Sequence, residues 1–185
     1  LVQLSVAQIQ AMQADAIGAM GGANRIDSLT MEQVAGLTSD QVKSLTTTQV
    51  TALTTAQIKE LDAGQLGVMN SAQIASIETR DMVQMTATQI SAIAGQAAAG
   101  LTTNQVANLT NEQVAAITTG QVQNMAADRI SAMTTAQISQ LGTAEVAVLS
   151  SAQVAAIEVD DLAKMTTAQV NALSPDSLKG LNATT

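Results

Sequence analysis

The sequence predicts an all-α solenoid built from very short helices of about six residues, with an eight-residue repeat. Three observations predict it: an aliphatic residue recurs at every eighth position, each repeat opens with a motif that starts helices, and the composition favours helix. Of the 185 residues, 46% are hydrophobic, but none is Phe, Trp or Tyr and only one is Pro. The core is therefore expected to be aliphatic and shallow, without the large buried area that aromatic side chains supply.

The eight-residue register of aliphatic residues runs without exception from Leu29 to Leu181. Three residues before each of these positions, from residue 30 onward, stands a second aliphatic residue, and Ala98 is the one small exception. Upstream the register continues, with one residue inserted near 21–22. The sequence therefore predicts a single octapeptide-repeat solenoid over 1–185, with a register break at the insertion.

Two other architectures compete with this interpretation. One long helix is excluded, because an eight-residue period needs 4.0 residues per turn against about 3.6 for an α-helix, so the apolar stripe would rotate by roughly 80° per repeat. A β-solenoid is the remaining alternative, since Thr and Val favour strands. However, the aliphatic residues are separated alternately by three and five positions and do not show the period of two that is typical of strands.

The repeated phrase itself favours helices. In "LTTNQVANL", which runs from Leu101 to Leu109, the Thr-x-x-Gln motif is a capping box. Its Thr side chain accepts a hydrogen bond from the amide of the third helical residue (N3), while the Gln at N3 reaches back to the amide of the N-cap. Isolated helices need roughly 12–15 residues to persist. Helices this short must therefore be stabilised by stacking on their neighbours, as in other repeat proteins.

Gln at the fourth position of the octad follows a second period. It is replaced in six octads, at positions separated by multiples of sixteen residues. The replacing residues are Asp81, Ala97, Arg129, Glu145, Asp161 and Ser177. The alternate octads never lose the pair of a polar cap and Gln, and their pairs are Thr38 and Gln41, Thr54 and Gln57, Asn70 and Gln73, Thr86 and Gln89, Thr102 and Gln105, Thr118 and Gln121, Thr134 and Gln137, Ser150 and Gln153, and Thr166 and Gln169. We therefore predict a two-helix layer of sixteen residues, with hydroxyl and amide groups in a uniform row along one edge.

The composition argues against an enzyme. Without His or Cys, the usual general bases, nucleophiles and soft metal ligands are missing, so we predict no catalytic, cofactor or metal site. The acidic group of Glu158, Asp160 and Asp161 matches no EF-hand loop and is interpreted as a solvated helix start. Asp81 beside Arg80 is likewise interpreted as surface charge.

Charge and hydropathy also limit the partners. The net charge of −8 disfavours nucleic acid and anionic membrane surfaces, because either partner needs a basic patch. No apolar run approaches the roughly eighteen residues of a membrane-spanning helix. The expected partner is another copy of the chain, and a cell or glycan surface is a second candidate.

The phrases "LTTNQVANL", "LTNEQVAAI" and "MTTAQVNAL" resemble the tandem L-T-T-x-Q-V-x-A octapeptide tracts of large bacterial surface and secreted proteins, including RTX-type adhesins. The resemblance covers nearly every octad from Ser5 to Leu181. It implies an extracellular location on a bacterium and a structural or adhesive role. The glycine-aspartate nonapeptides of RTX calcium rolls are missing here, so no calcium site is carried over.

Two functions follow as expectations. The first is a structural protein, either a rod within an adhesin or a self-assembling extracellular filament. The second is a binding module that presents the regular Thr and Ser face to a glycan, a surface or ice.

Overall fold

The computed structural model describes residues 3–19 and 26–181. Within these ranges the regular elements are all helices and none is a strand, so the predicted all-α solenoid of short helices is confirmed and the β-solenoid alternative is wrong. The α-helices are α1 Val6–Gln10, α2 Ala14–Gly18, α3 Met31–Ala35, α4 Ser39–Ser44, α5 Thr47–Ala52, α6 Thr55–Lys59, α7 Ala63–Gly67, α8 Ser71–Ser76, α9 Thr79–Met82, α10 Ala87–Ala92, α11 Thr103–Asn108, α12 Asn111–Ala115, α13 Thr119–Asn124, α14 Ala127–Ser131, α15 Thr135–Ile138, α16 Thr143–Ala147, α17 Ser151–Ala155, α18 Val159–Leu162 and α19 Thr167–Ala172. Gly95–Gly100 and Ser177–Gly180 are 3-10 helices.

α4 and α5 are joined by two extended residues rather than by a loop. α4 follows Thr38, which has φ −71° and ψ 157°, and it ends before Leu45, which has φ −59° and ψ 134°. Thr46 then repeats the extended geometry and caps α5. Because none of these conformations has a positive φ, any L-residue can adopt them, and the corner needs no glycine. The corner position can therefore hold a large aliphatic side chain that enters the core.

The solenoid has three helices in each coil. α5 packs against α8, α8 packs against Gly95–Gly100, and that segment packs against α13. The N-caps of α5 and α8, Thr46 and Asn70, are 24 residues apart, which is three octads. The same spacing joins α3 to α6, α4 to α7 and the other pairs of packed α-helices between residues 26 and 181. The 3-10 helix at 177–180 starts late within its octad, but that octad also lies three octads after the one that contains α17, on which it packs.

The predicted sixteen-residue layer of two helices is wrong. The sequence pattern does alternate every second octad, but packing repeats every third octad, so alternate octads cannot stay on one side of the solenoid. Thr38, Thr54 and Asn70 are successive caps of the strictly repeated series, and they begin helices on three different sides. The series returns to the first side only at Thr86, the cap of α10, which is two coils beyond Thr38.

The core runs along the axis of the solenoid and takes two aliphatic residues from most octads. One is the corner residue, such as Leu45 with 4% of its surface exposed, and the other directly follows N3, such as Val42 with 0% exposed. Burying such a side chain contributes about 1.5–3 kcal/mol, which a coil gains only when its neighbour covers it. Stability in this fold therefore comes from the stack and not from the single helix.

The register break that we predicted near 21–22 lies outside the described residues. Gln41 and Gln49 donate hydrogen bonds across the break, to the carbonyls of Ile9 and Ile17, each 32 residues earlier. Gln57 donates to the carbonyl of Ile26, which lies after the break and is 31 residues earlier. The spacing between coils therefore changes by one residue within the segment between Ile17 and Ile26.

Candidate functional site

The Gln at N3 has two structural roles at once, and Gln121 in α13 shows both. Its Oε1 accepts from the Thr118 amide at 2.8 Å, and its own amide donates to the Thr118 hydroxyl at 3.3 Å, which completes the capping box. Its Nε2 donates to the carbonyls of Ile90 and Ile93 in the preceding coil, at 2.6 and 2.8 Å. The side chain is only 1% exposed. Gln121 thus starts its own helix and joins it to the coil beneath.

All nine cap and Gln pairs of the strictly repeated series have this arrangement. Each pair forms a capping box, and each Gln also donates from Nε2 to carbonyls of the preceding coil. Beyond the register break, these carbonyls belong to the residues 28 and 31 positions earlier. We call these side chains the bridging glutamines, and they are Gln41, Gln57, Gln73, Gln89, Gln105, Gln121, Gln137, Gln153 and Gln169.

The bridging glutamines do not form an exposed amide row. Each is at most 8% exposed, because the amide lies between two coils. Their caps are more accessible, but successive caps lie on three different sides, and on any one side they recur only every second coil. The predicted uniform row along one edge is therefore wrong, because the caps of the strictly repeated series are distributed over three sides.

The replacements at N3 show which part of the bridge each octad keeps. Arg129 keeps the donor: its Nε donates at 2.8 Å to the carbonyl of Leu101, which lies 28 residues earlier. The Asp81 carboxylate has no donor, and it accepts instead from the hydroxyl of Thr55 in the coil beneath. The direction of donation between the coils is reversed there. Ser177 donates locally, to the carbonyl of Ser174 at 2.9 Å.

Burial corrects the interpretation of the acidic residues. Asp81 is 2% exposed and is not surface charge, although its neighbour Arg80 is exposed and pairs with Glu78 at 2.5 Å. Asp161 is buried as well, with 7% exposed, whereas Glu158 and Asp160 are exposed as a solvated helix start requires. The reason is the same for both buried residues: N3 of the octad faces the preceding coil, whatever residue occupies it.

The clearest electrostatic pair of the described residues is Asp128 with Arg129 at the start of α14. The hydrogen bond from Arg129 holds the pKa of Asp128 below its usual value. The same hydrogen bond raises the pKa of Arg129, because the Asp128 carboxylate stabilises the protonated guanidinium. Because the Asp128 carboxylate lies in solvent, this pair orients the guanidinium that bridges to Leu101 more than it stabilises the fold.

Ala97 removes the bridge altogether. By the spacing of the other octads, a Gln at 97 would donate to the carbonyls of Leu66 and Met69, 31 and 28 residues earlier. A cavity of about 370 Å³ lies at this position, with Met69 in its lower wall and Ala97 in its upper wall. The lining residues are Gly67, Val68, Met69, Asn70, Ser71, Ala94, Gln96 and Ala97.

Comparison with known proteins finds no family model that matches the sequence and no curated protein that matches it. Residues 3–19 and 26–181 contain no group of three or more acidic side chains placed to hold a metal ion. In the same residues, no helix has both the length and the apolar character to cross a membrane. The repeated architecture and, separately, the cavity at Ala97 are therefore the two features that bear on function.

Proposed function

We propose that this chain is a stiff structural rod of the bacterial exterior, within an adhesin or a self-assembling extracellular filament. The observation that carries the proposal is the stack itself, in which each coil covers the core of the preceding coil and bridging glutamines join the two. The resemblance of the octads to tracts of bacterial surface proteins supports the location and the structural role.

The geometry favours stiffness over reach. Twenty-four residues in one α-helix span about 36 Å. One coil of this solenoid adds about 8–10 Å, the usual distance between packed helices. The solenoid is therefore shorter than a single helix of the same chain length, but its cross-section contains three helices. Bending it must separate buried side chains and bridging amides on at least one side. Such an element suits a rod that holds its shape under load better than it suits a flexible linker.

Self-assembly has a candidate surface in the coil that contains α19. Val170 is 47% exposed, whereas Val146, at the same repeat position one coil earlier, is 0% exposed because α19 covers it. Leu178 is also exposed, at 41%. Another coil of octads from a second copy would cover both side chains, just as α19 covers Val146, and would extend the rod along its axis.

Small-angle X-ray scattering and negative-stain electron microscopy of the purified chain test both parts of the proposal. We expect rod-shaped scattering with a narrow, constant cross-section, and fibres of the same width where copies stack end to end. Val170→Lys combined with Leu178→Lys should abolish the fibres and leave single rods. Met31→Lys is the matched control, because Met31 is 52% exposed at the first residue of α3, which packs between α1 and α6, and its fibres should persist. A flexible or spherical particle would contradict the rod, and rods without fibres at any concentration would contradict self-assembly alone.

A further inference from the structure

We propose that the cavity at Ala97 is a binding site for a primary amide carried on a short aliphatic stem. The cavity lies where the repeat elsewhere inserts the amide of a bridging glutamine, between two coils on the side that contains α8 and α13. This inference concerns a local site and is independent of the proposed rod function.

The acceptors of the site are backbone carbonyls. On the same side of the solenoid, Gln73 donates to the Leu45 carbonyl at 2.8 Å in the coil below, and Gln121 donates to the Ile93 carbonyl at 2.8 Å in the coil above. The equivalent carbonyl is that of Met69, a residue that lines the cavity and is 3% exposed, and the methyl side chain of Ala97 has no group to donate to it. A buried carbonyl without a donor costs about 1–3 kcal/mol, so a ligand that donates there gains affinity.

The walls select the rest of the ligand. Val68, Ala94 and Ala97 present apolar groups, and about 370 Å³ lies within the usual range of small-molecule sites. The rim contains exposed polar residues, Asn70, Ser71 and Gln96. The ligand therefore enters from solvent, places an aliphatic stem between the alanines and directs N–H groups at the carbonyls.

A neutral amide fits these walls better than an ammonium or a carboxylate. No acidic residue lines the cavity, so a desolvated cation would have no counter-charge there. A carboxylate would place its oxygens against carbonyl oxygens. A primary amide has two N–H donors and no net charge, which is what each bridging glutamine supplies between other coils.

The direct test is a titration of the full chain with propionamide, followed by amide chemical shifts in NMR spectra. We expect saturable shifts confined to residues 67–71 and 94–98, with a millimolar dissociation constant, as is typical of a ligand of about five heavy atoms. 2-Butanone and propionate are the matched probes without a neutral N–H donor, and they should give at least tenfold weaker binding. Equal shifts with 2-butanone, or no saturable shift with propionamide, would overturn the proposal.

Variants place the ligand and keep the test independent of folding. Ala97→Gln supplies the amide from the chain itself, and Ala97→Leu fills the cavity without a donor, so each should weaken propionamide binding at least tenfold. Ala99→Gln is the control, since Ala99 is exposed on the same segment, and it should bind as the unaltered chain does. Undiminished binding by both Ala97 variants would put the ligand elsewhere and would overturn the assignment.

Two sources of the amide can be separated with blocked amino acids. N-acetyl-glutamine methylamide presents the side chain that a peptide would insert, and the corresponding glutamate compound is its control. Selective binding of the glutamine compound would assign the site to a glutamine side chain. Binding of propionamide alone would assign it to free small amides, and binding of neither would contradict the proposal.

Discussion

α13 and the segment Gly95–Gly100 lie in consecutive coils on the same side of the solenoid and pack directly against each other, yet they are built differently. α13 is an α-helix with a capping box made by Thr118 and Gln121. Gly95–Gly100 is a 3-10 helix that begins after Ala94 without a side-chain cap, and Ala97 takes the place of the bridging glutamine. Two octads of equal length thus give two kinds of contact between coils.

The difference is in how the two backbones approach. In α13 a buried amide fills the space between the coils and satisfies the carbonyls there. In Gly95–Gly100 the backbone comes close at Gly100 instead, where a Cβ would overlap the carbonyl group of Ser71 in the coil beneath, and the cavity at Ala97 stays open. The second 3-10 segment repeats this combination, with a small residue at N3 and a glycine, Gly180, against the carbonyl group of Ser151. A bridging glutamine and a close glycine are therefore two alternative ways to join coils.

The largest effect should come from changing the bridging amide of α13. Gln121→Glu keeps the oxygen that accepts from the Thr118 amide but places a carboxylate against the carbonyls of Ile90 and Ile93. We expect a loss of about 3–5 kcal/mol of unfolding free energy, as for other buried charges without a partner. Gln121→Ala should cost less, about 2–3 kcal/mol, from the lost cap and the unsatisfied carbonyls. Urea denaturation followed by circular dichroism measures both.

Gln123 provides the matched control for Gln121. It lies two residues later in α13, and its side chain is exposed to solvent. Gln123→Glu should therefore change the unfolding free energy by less than about 0.5 kcal/mol, as is usual for surface substitutions. Equal losses for Gln121→Glu and Gln123→Glu would show that the bridge between coils does not hold the stack together.

The next largest effect should come from the close glycine of the 3-10 segment. Gly100→Ala inserts a methyl group into the space occupied by the Ser71 carbonyl, so we expect a loss of about 2–3 kcal/mol of unfolding free energy, in the range of overpacked cores. In Gly67→Ala the added Cβ would lie 3.5 Å from the Ala92 carbonyl oxygen, an ordinary contact at the end of α7. That variant should be neutral or gain up to about 1 kcal/mol from helix propensity. A loss in Gly67→Ala as large as in Gly100→Ala would contradict the close approach.

The local structure of α13 was predictable from the sequence, because a capping box is a signal read within one helix. The packing between coils was not predictable in the same way. The period of sixteen residues in the identity of N3 suggested a two-helix layer, whereas the packing repeats after three octads. Nothing in a capping box specifies how far the extended corner rotates the next helix, and that rotation decides the number of helices in a coil.

The bond from each bridging glutamine to the preceding coil has a signal in the sequence that is separate from the capping box. Glu completes a capping box as well as Gln does, yet the nine strictly repeated octads contain Gln at N3 and never Glu. A requirement for the N–H groups explains that preference, and the bonds from Gln121 Nε2 to Ile90 and Ile93 are what the N–H groups are for. Similarly, Ala97 and Ala98 were exceptions to the pattern, but their residue types could not indicate the 3-10 geometry or the cavity.

A smaller effect, and a stabilising one, should follow from adding a side-chain cap to α14, which lacks one. Ala126 is the N-cap of α14 and makes no side-chain hydrogen bond. Ala126→Thr should add about 1 kcal/mol of unfolding free energy, because its hydroxyl can accept from the amide of Arg129 at N3. Ala126→Val has the same shape without the hydroxyl and serves as the control. If the two variants are equally stable in thermal denaturation, the gain is due to shape and the capping argument fails.

The smallest effect should come from Asp128, and it should depend on pH. Its pKa is lower in the folded chain than in the unfolded chain, because Arg129 donates a hydrogen bond to the ionised carboxylate. Asp128 therefore favours the folded state above its unfolded pKa of about 3.9, and this contribution disappears as the pH falls through the folded-state value. Asp128→Asn should lower the melting temperature slightly at neutral pH, and the difference from the unaltered chain should vanish once the pH is below the folded-state pKa of Asp128. Asp40→Asn is the control at the same helical position in α4, where Gln41 rather than an arginine follows, so a pH-dependent difference of equal size there would assign the effect to the helix start and not to the pair with Arg129.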